Sequence, residues 1–414
     1  MACLSITSNN PNFSFIINKN PNSGMKGKII RKGQAFGWYS SNNRYNIVFF
    51  EGNDEVSFPQ FVNQEFAYLD NAQYNSPVFI STVIANFLNS ALNKPNELDT
   101  PSKCSIHINS VKIKKYMLDR IINYFPKYQF QLVTLDDTDN YELIISSEST
   151  IYELLNLIYL FSFFFTIWNN INISTDKSFA KRLIRAAHIT NAPYYVRYLI
   201  KIYAIHPNDF GEFRDDLNQH STQKIKMLSD TNHMMRFKTI SSLLSYNKHI
   251  IDFGAGKGSF TSLSKSLQNK NYYAIERDEN IKQAIHRKIK KHEWTNVFTY
   301  SSLDELKINE SYEVIMTEVF EHNELEEMTK ILNNFWNDPN CFKIILTTPN
   351  KDFNQFYLLK VNELRHDDHK FEMTKDELIN YFKQVPDTWS YRIKNLGDEV
   401  NDISTTCLVI MERN

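Results

Sequence analysis

The sequence predicts an α/β chain with a doubly wound, Rossmann-like sheet in its C-terminal part, an α+β domain ahead of it and a helical connector between. Three observations lead there. Short apolar runs alternate with helical stretches from about residue 248 onward, a glycine cluster follows the first of those runs, and acidic residues recur where the runs end. At 414 residues the chain is longer than one core usually serves, so two domains are expected.

In the N-terminal part, residues 47–50 and 141–145 are short, β-branched or aromatic, and bounded by polar turns, as strands are. Ser76-Pro77 followed by an apolar run to Leu88 reads as a helix starting at a proline. The run from Leu154 to Trp168 invites a membrane reading. It contains Asn156, follows Glu153 and falls short of the roughly 18–20 residues a span needs, so a buried core helix is expected and no membrane partner. From about 175 to 245, Lys181, Arg182, Arg185 and Arg197 are interleaved with apolar residues in a helical pattern. The expected domains are therefore 1–172 (α+β), 173–240 (connector) and 241–414 (doubly wound sheet).

Within that last domain the expected strands are 248–253, 271–276, 296–300, 312–317 and 342–347, with late strands near Lys394 and over 404–411. Ligands of such sheets bind at the carboxyl ends of the strands, where Asp252, Glu276, Glu318 and the segment Thr347-Thr348-Pro349-Asn350 fall. That last segment is expected to be a turn.

Totals exclude little but point consistently. A formal charge of −1 and a pI near 6.8 mean no global basic field, although a local basic lining can still hold a polyanion. Cys3, Cys104, Cys341 and Cys407 show no CxxC spacing, which argues against a disulfide framework or zinc ribbon and fits a reduced, cytoplasmic compartment. The first residues lack the basic flank and apolar core of a signal peptide.

Gly254, Gly256 and Gly258 sit between a strand and an expected helix, where glycine lets the backbone approach a ligand closely. Glu276, at the end of the next strand, suits a ribose diol. Asp252 could orient the loop or meet the amino-acid end of a cofactor, and Ser302, beyond the third strand, completes the cofactor set. This layout serves dinucleotides and S-adenosyl-L-methionine alike. The form D-x-G-x-G-x-G resembles the class I methyltransferase signature more than a dehydrogenase's GxGxxG.

Glu318, Glu321 and His322 fall at i, i+3 and i+4, one face of a helix if a helix forms there. With an imidazole arriving from a later loop they could hold a divalent metal, Mn(II) in preference to Mg(II) because of the nitrogen donors. His369 is one source of that imidazole; His366, Asp367 and Asp368 are its neighbours and alternatives. The bland reading is a solvated acidic face that Glu324, Glu326 and Glu327 extend.

The ordered set Glu318-Val-Phe-Glu321-His322, Thr348-Pro349-Asn350-x-x-Phe353-Asn354 and Arg365-His366-Asp367-Asp368-His369-Lys370-Phe371-Glu372 resembles the Hen family of RNA 3′-terminal 2′-O-methyltransferases. Gly33-Gln34-Ala35-Phe36 and Tyr68-Leu69-Asp70-Asn71-x-x-Tyr74-x-Ser76-Pro77 are similar to runs of its bacterial branch. The resemblance implies a C-terminal class I methyltransferase domain and Glu318, Glu321, His322 and His369 as metal ligands and catalytic residues. It implies S-adenosyl-L-methionine as cofactor and an RNA 3′ end as substrate, with Thr348, Pro349, Asn350, Arg365 and Lys370 near it. It also implies a polynucleotide kinase–phosphatase–ligase partner, in RNA repair, reached through the N-terminal domain. Glu276 stands where many methyltransferases have aspartate, and glutamate reaches a ribose diol as well. Two other classes remain in view: a metal-dependent O-methyltransferase of catechol-like small molecules, and a non-catalytic scaffold that recruits a ligase.

Overall fold

The computed structural model describes residues 2–30, 33–51, 76–136, 139–171, 176–219, 221–357, 359–360 and 362–414. The run Tyr68 to Tyr74 lies outside them. The chain divides into two compact units, Met1–Thr222 and Gln223–Asn414.

The first unit is an antiparallel sheet with helices, the expected α+β arrangement. Its strands are β1 (Ala2–Ser8), β2 (Lys26–Ile30), β3 (Gly33–Ser41), β4 (Arg44–Glu51), β5 (Ser102–Lys112), β6 (Tyr128–Thr134) and β7 (Asn140–Ser149). They lie in the order β2-β3-β4-β1-β5-β7-β6. Alternating Leu4, Ile6, Ile47, Phe49, Ile106, Ile108, Leu143 and Ile145 are all buried, so one sheet face forms the core. The helix Pro77–Phe87 starts at its proline, as expected.

The apolar run forms the helix Ile151–Trp168, opened by a capping box in which Thr150 and Glu153 satisfy each other's backbone amides. It is apolar and long enough to cross a membrane, but 78% of its length is buried within the fold. Phe161 is fully buried and packs against Phe125, Phe130, Phe164 and Phe165.

The expected connector is not a separate element. Helices Lys177–Ile189, Tyr194–Ala204 and Phe210–Asn218 belong to the first unit, and Asn232–Leu243 to the second. Each has an apolar stripe that needs cover, and Lys177–Ile189 finds it on the apolar helix. Phe179 packs on Tyr159 and Phe163, and Arg182 Nε donates to the Tyr159 hydroxyl at 3.1 Å.

The second unit contains β8 (Ile225–Lys226), β9 (His249–Phe253), β10 (Tyr272–Ile275), β11 (Val297–Tyr300), β12 (Tyr312–Thr317), β13 (Cys341–Pro349), β14 (Trp389–Val400) and β15 (Ile403–Arg413). Their order is β11-β10-β9-β12-β13-β15-β14-β8. Strands β9 to β13 run parallel, and β15 inserts antiparallel between β13 and β14. This is the class I methyltransferase fold. Ile250, Ile315 and Ile345 share a core with Ile240 and Ile285 of the helices Asn232–Leu243 and Glu279–His292. Ile251, Val314 and Ile344 share the other with Met328, Leu332 and Leu378 of Leu325–Asn337 and Lys375–Tyr381. Both faces of the sheet are thus covered, as a parallel sheet requires.

Strand order reverses between β9 and β12, and that switch point is where such sheets bind ligands. Truncating Phe161 to alanine is expected to destabilise the first unit by about 3–5 kcal/mol in denaturant unfolding. A loss under about 1 kcal/mol would contradict its place in the core.

Candidate active site

Strand β9 is followed by Gly254, Gly256 and Gly258, all with positive φ. Gly254 has φ +74, and a Cβ there would lie 2.3 Å from Val319 Cγ2, so no side chain fits. The loop leads into a 3-10 segment, Thr261–Ser266, where an α-helix was expected. Its serines and threonine compete for backbone groups and weaken a helix; Thr261 Oγ1 donates to the Gly258 carbonyl at 2.8 Å.

Glu276 follows β10 and accepts from the Gly256 amide at 2.8 Å and the Asp278 amide at 2.9 Å. It therefore braces the glycine loop while presenting its carboxylate beside it. Asp252 lies beneath the loop, 1% exposed, and accepts from the Tyr272 hydroxyl. Burial holds its carboxyl up at about 7.

A cleft of about 680 Å³ runs over these strand ends, and Gly254, Glu276, Ser302, Glu318, Val319 and His322 line it. Asp252, Gly256 and Gly258 are not in its lining; they shape the loop from behind.

The acidic motif is not an α-helix. Glu318 closes β12 with φ +53, Val319 turns against Gly254, and Phe320–His322 is a single 3-10 turn. The α-helix begins only at Leu325. A left-handed glutamate is a strained backbone, of the kind that clusters at functional sites. It swings Glu321 inward, where the carboxylate is fully buried.

Glu321 Oε2 accepts from Thr348 Oγ1 at 3.1 Å, and Oε1 is buried with no hydrogen bond from another described residue. Burial, and then the charge of Glu318, push its carboxyl well above the usual range. Glu321, His322 and His369 each bring one donor atom within 4.8 Å of the others. The rings of His322 and His369 meet edge to face, centroids 4.7 Å apart. Exposed His366 stands outside this group.

Both imidazoles are braced by carboxylates. His369 Nδ1 lies 2.6 Å from Glu372 Oε1, and His322 Nδ1 lies 3.2 Å from Asp368 Oδ2. Each pairing leaves Nε2 as the ring's available donor atom, the arrangement usual around metal-binding histidines. Burial lowers the pKa of His369 and favours the neutral ring. Burial works against ionising Glu372 too, but hydrogen bonds from Asn354, the Arg365 amide and His369 outweigh it and hold its carboxyl below the usual range.

Glu318 stands apart. Its Oε2 pairs with Arg236 Nη1 at 2.7 Å and its Oε1 accepts from Thr347 Oγ1 at 3.1 Å. The expected turn at 347–350 is strand as far as Pro349, which pairs with Thr406.

A family profile, the Hen1 N-terminal domain, matches residues 3–222, more than half of the chain. The chain belongs to the Hen1 family. A small RNA 2′-O-methyltransferase of Tetrahymena thermophila is 29% identical over 106 residues, 24% of this chain and 25% of that protein. One from Caenorhabditis elegans is 34% identical over 74 residues, 17% of this chain and 16% of its own length. The chain thus matches a quarter or less of these curated relatives. A chain of a Pnkp1/Rnl/Hen1 RNA repair complex shares the fold, with TM-score 0.83 over 99% of this chain and 100% of that one, at 23% identity.

The remaining positions that the Hen motif singles out are mostly scaffold in this Hen1-family chain. Thr348 orients Glu321, Pro349 is buried in β13, and Asn350 donates to the Ser404 carbonyl at 3.1 Å. Arg365 donates to Asn354 Oδ1 at 2.6 Å, to the Thr405 carbonyl at 2.7 Å and to the Asn350 carbonyl. Lys370 keeps an exposed side chain and fastens its amide to the Glu321 carbonyl at 2.7 Å.

Sequence reasoning missed Arg236 and the role of Glu372. Glu372 follows His369 by three residues inside the motif, and that spacing was an available signal. Arg236 had none, since it arrives from a helix far back in the chain.

Asp252 gives a pH test with a fixed sign. Its folded pKa of about 7 lies above the roughly 3.9 of a free aspartate, so the folded state holds the extra proton and stability falls as pH rises from about 4 to about 7. Asp252→Asn is expected to remove that fall and to melt above the parent at pH 8. Parallel melting profiles for the two proteins would contradict the buried acid.

Proposed function

We propose that this protein transfers a methyl group from S-adenosyl-L-methionine to the 2′-hydroxyl of the 3′-terminal nucleotide of RNA, with a divalent metal held by Glu321, His322, His369 and Glu318. One observation carries the reading. Glu318 and His322 line the same cleft as Gly254, Glu276 and Ser302, so the metal-type cluster opens onto the cofactor-type loop.

The donor set suits the metal. Glu321 Oε1 is a buried carboxylate oxygen without a donor among the described residues, and such an atom is stabilised by a cation or a proton. Two imidazoles add nitrogen, which favours Mn(II) over Mg(II). When bound, S-adenosyl-L-methionine supplies an activated methyl, and the divalent ion supplies Lewis acidity and open positions for the vicinal hydroxyls that the last ribose of an RNA presents.

The chain's own groups do the rest. The Gly254 turn has no side chain to block close approach of a ligand to the backbone. Glu276 and Ser302 offer polar atoms to the ribose and base side of a nucleoside. Glu372 and Asp368 accept the Nδ1 protons of His369 and His322 and fix the tautomers, so the Nε2 atoms keep their lone pairs. Thr348 clamps one oxygen of Glu321 and leaves the other without a donor among the described residues. Holding hydroxyl and methyl together in one cleft supplies proximity, a large share of the rate in such transfers.

The relatives' names, the Hen1 profile and the motif order support the RNA end as substrate. The likeness to a chain of a Pnkp1/Rnl/Hen1 RNA repair complex supports a polynucleotide kinase–phosphatase–ligase as the partner of the first unit.

Periodate tests the reaction. RNA incubated with the protein, S-adenosyl-L-methionine and Mn(II) is expected to resist oxidation at its 3′ end, and RNA treated with Glu321→Ala to remain sensitive by at least a hundredfold in rate, about 3 kcal/mol of barrier. Transfer to a catechol with none to RNA would overturn the substrate. Unchanged turnover in the variant would overturn the site.

A further inference from the structure

Arg236 has no part in the reaction just described, yet its guanidinium pairs with Glu318, three residues before the buried Glu321. It reaches Glu318 from the helix Asn232–Leu243, and the pair is largely buried, with side chains 18% and 26% exposed. Its hold is incomplete, because Arg236 Nε is buried and donates to no described residue. Its charge also acts on Glu321, where it opposes the effect of Glu318. One guanidinium therefore pairs with Glu318 and acts through its charge on Glu321, three residues on.

We infer that Arg236 is a built-in competitor of the metal: it pairs with Glu318 and must give up that carboxylate when a divalent ion binds. This rests on the metal reading of Glu321, His322 and His369. A divalent ion and a guanidinium compete for the same negative charge, and a positive charge beside the cluster repels the incoming ion at every stage. Both effects have the same sign, so removing Arg236 strengthens metal binding. The alternative role, a permanent brace that orients Glu318 as a ligand, has the opposite sign. A brace is needed most in the loaded state, and its loss weakens binding.

The pair also explains why Glu318 is missing from the cluster that Glu321, His322 and His369 form. Its Oε2 is already engaged, and its Oε1 is tied to Thr347. Release of Arg236 frees one oxygen while Thr347 keeps the other fixed.

Manganese titration of the full-length protein, read by the loss of free Mn(II) signal in electron paramagnetic resonance, decides between these roles. Arg236→Gln is expected to bind Mn(II) roughly tenfold more tightly than the parent, the scale of one partly buried ion pair. In EDTA the variant is expected to melt below the parent, and the gap to close in saturating Mn(II), since the ion stabilises whichever form it binds. Arg236→Lys, which keeps the charge and loses the planar fork, is expected to fall between them. Equal or weaker Mn(II) binding by Arg236→Gln overturns the competitor. Failure of the parent itself to bind Mn(II) at millimolar concentration removes the metal reading first, and the inference falls with it.

Discussion

A carboxylate taken out of water costs several kcal/mol unless charge or hydrogen bonds compensate it. Glu321 is fully buried, has one oxygen on Thr348 and keeps the other without a donor among the described residues. The rest of the site can be understood as the structure that holds this unfavourable group in place. β13 carries Thr348 beneath it, and the left-handed Glu318 turns the chain inward at the end of β12. Gly254 clears the space that Val319 needs for that turn. One small residue in the cofactor-type loop thus sets the position of the metal-type carboxylate. The two halves of the site are linked by sterics as well as by a shared cleft.

The second level of organisation is carboxylate support for each histidine. Glu372 gathers Asn354, the Arg365 amide and His369 around one buried carboxylate. Arg365 in turn ties that group to Asn350 and Thr405 at the end of the sheet. The segment carrying His369 is a loop, and this network gives it the rigidity that a loop lacks by itself. Arg365, which reads as an RNA contact from its charge, is in this geometry a strut of the group that braces His369.

Much of the C-terminal fold was legible because strands buried on both faces are continuous apolar runs, and every expected strand there is present. The acidic motif illustrates the limit. The spacing of Glu318, Glu321 and His322 suits an α-helix, and the same residues converge through a strained strand end and one 3-10 turn, because the packing of Val319 on Gly254 outweighs helix propensity. His369 could not be separated from His366 by spacing alone; burial and Glu372 separate them. The expected connector failed for a related reason. Amphipathic helices show in sequence that they need an apolar partner, but not which one, and those up to Asn218 lie within the first unit. Arg236 carried no sequence signal because its contact spans distant elements.

The central claim is that Glu321 Oε1, which has no donor among the described residues, and the two braced imidazoles form one cation site. Anomalous diffraction at the manganese edge from crystals grown with Mn(II) tests it most directly. The account predicts a single strong peak about 2.0–2.3 Å from Glu321 Oε1 and from the Nε2 atoms of His322 and His369. A peak elsewhere, or a loaded crystal in which Glu321 Oε1 touches no ion, would contradict it.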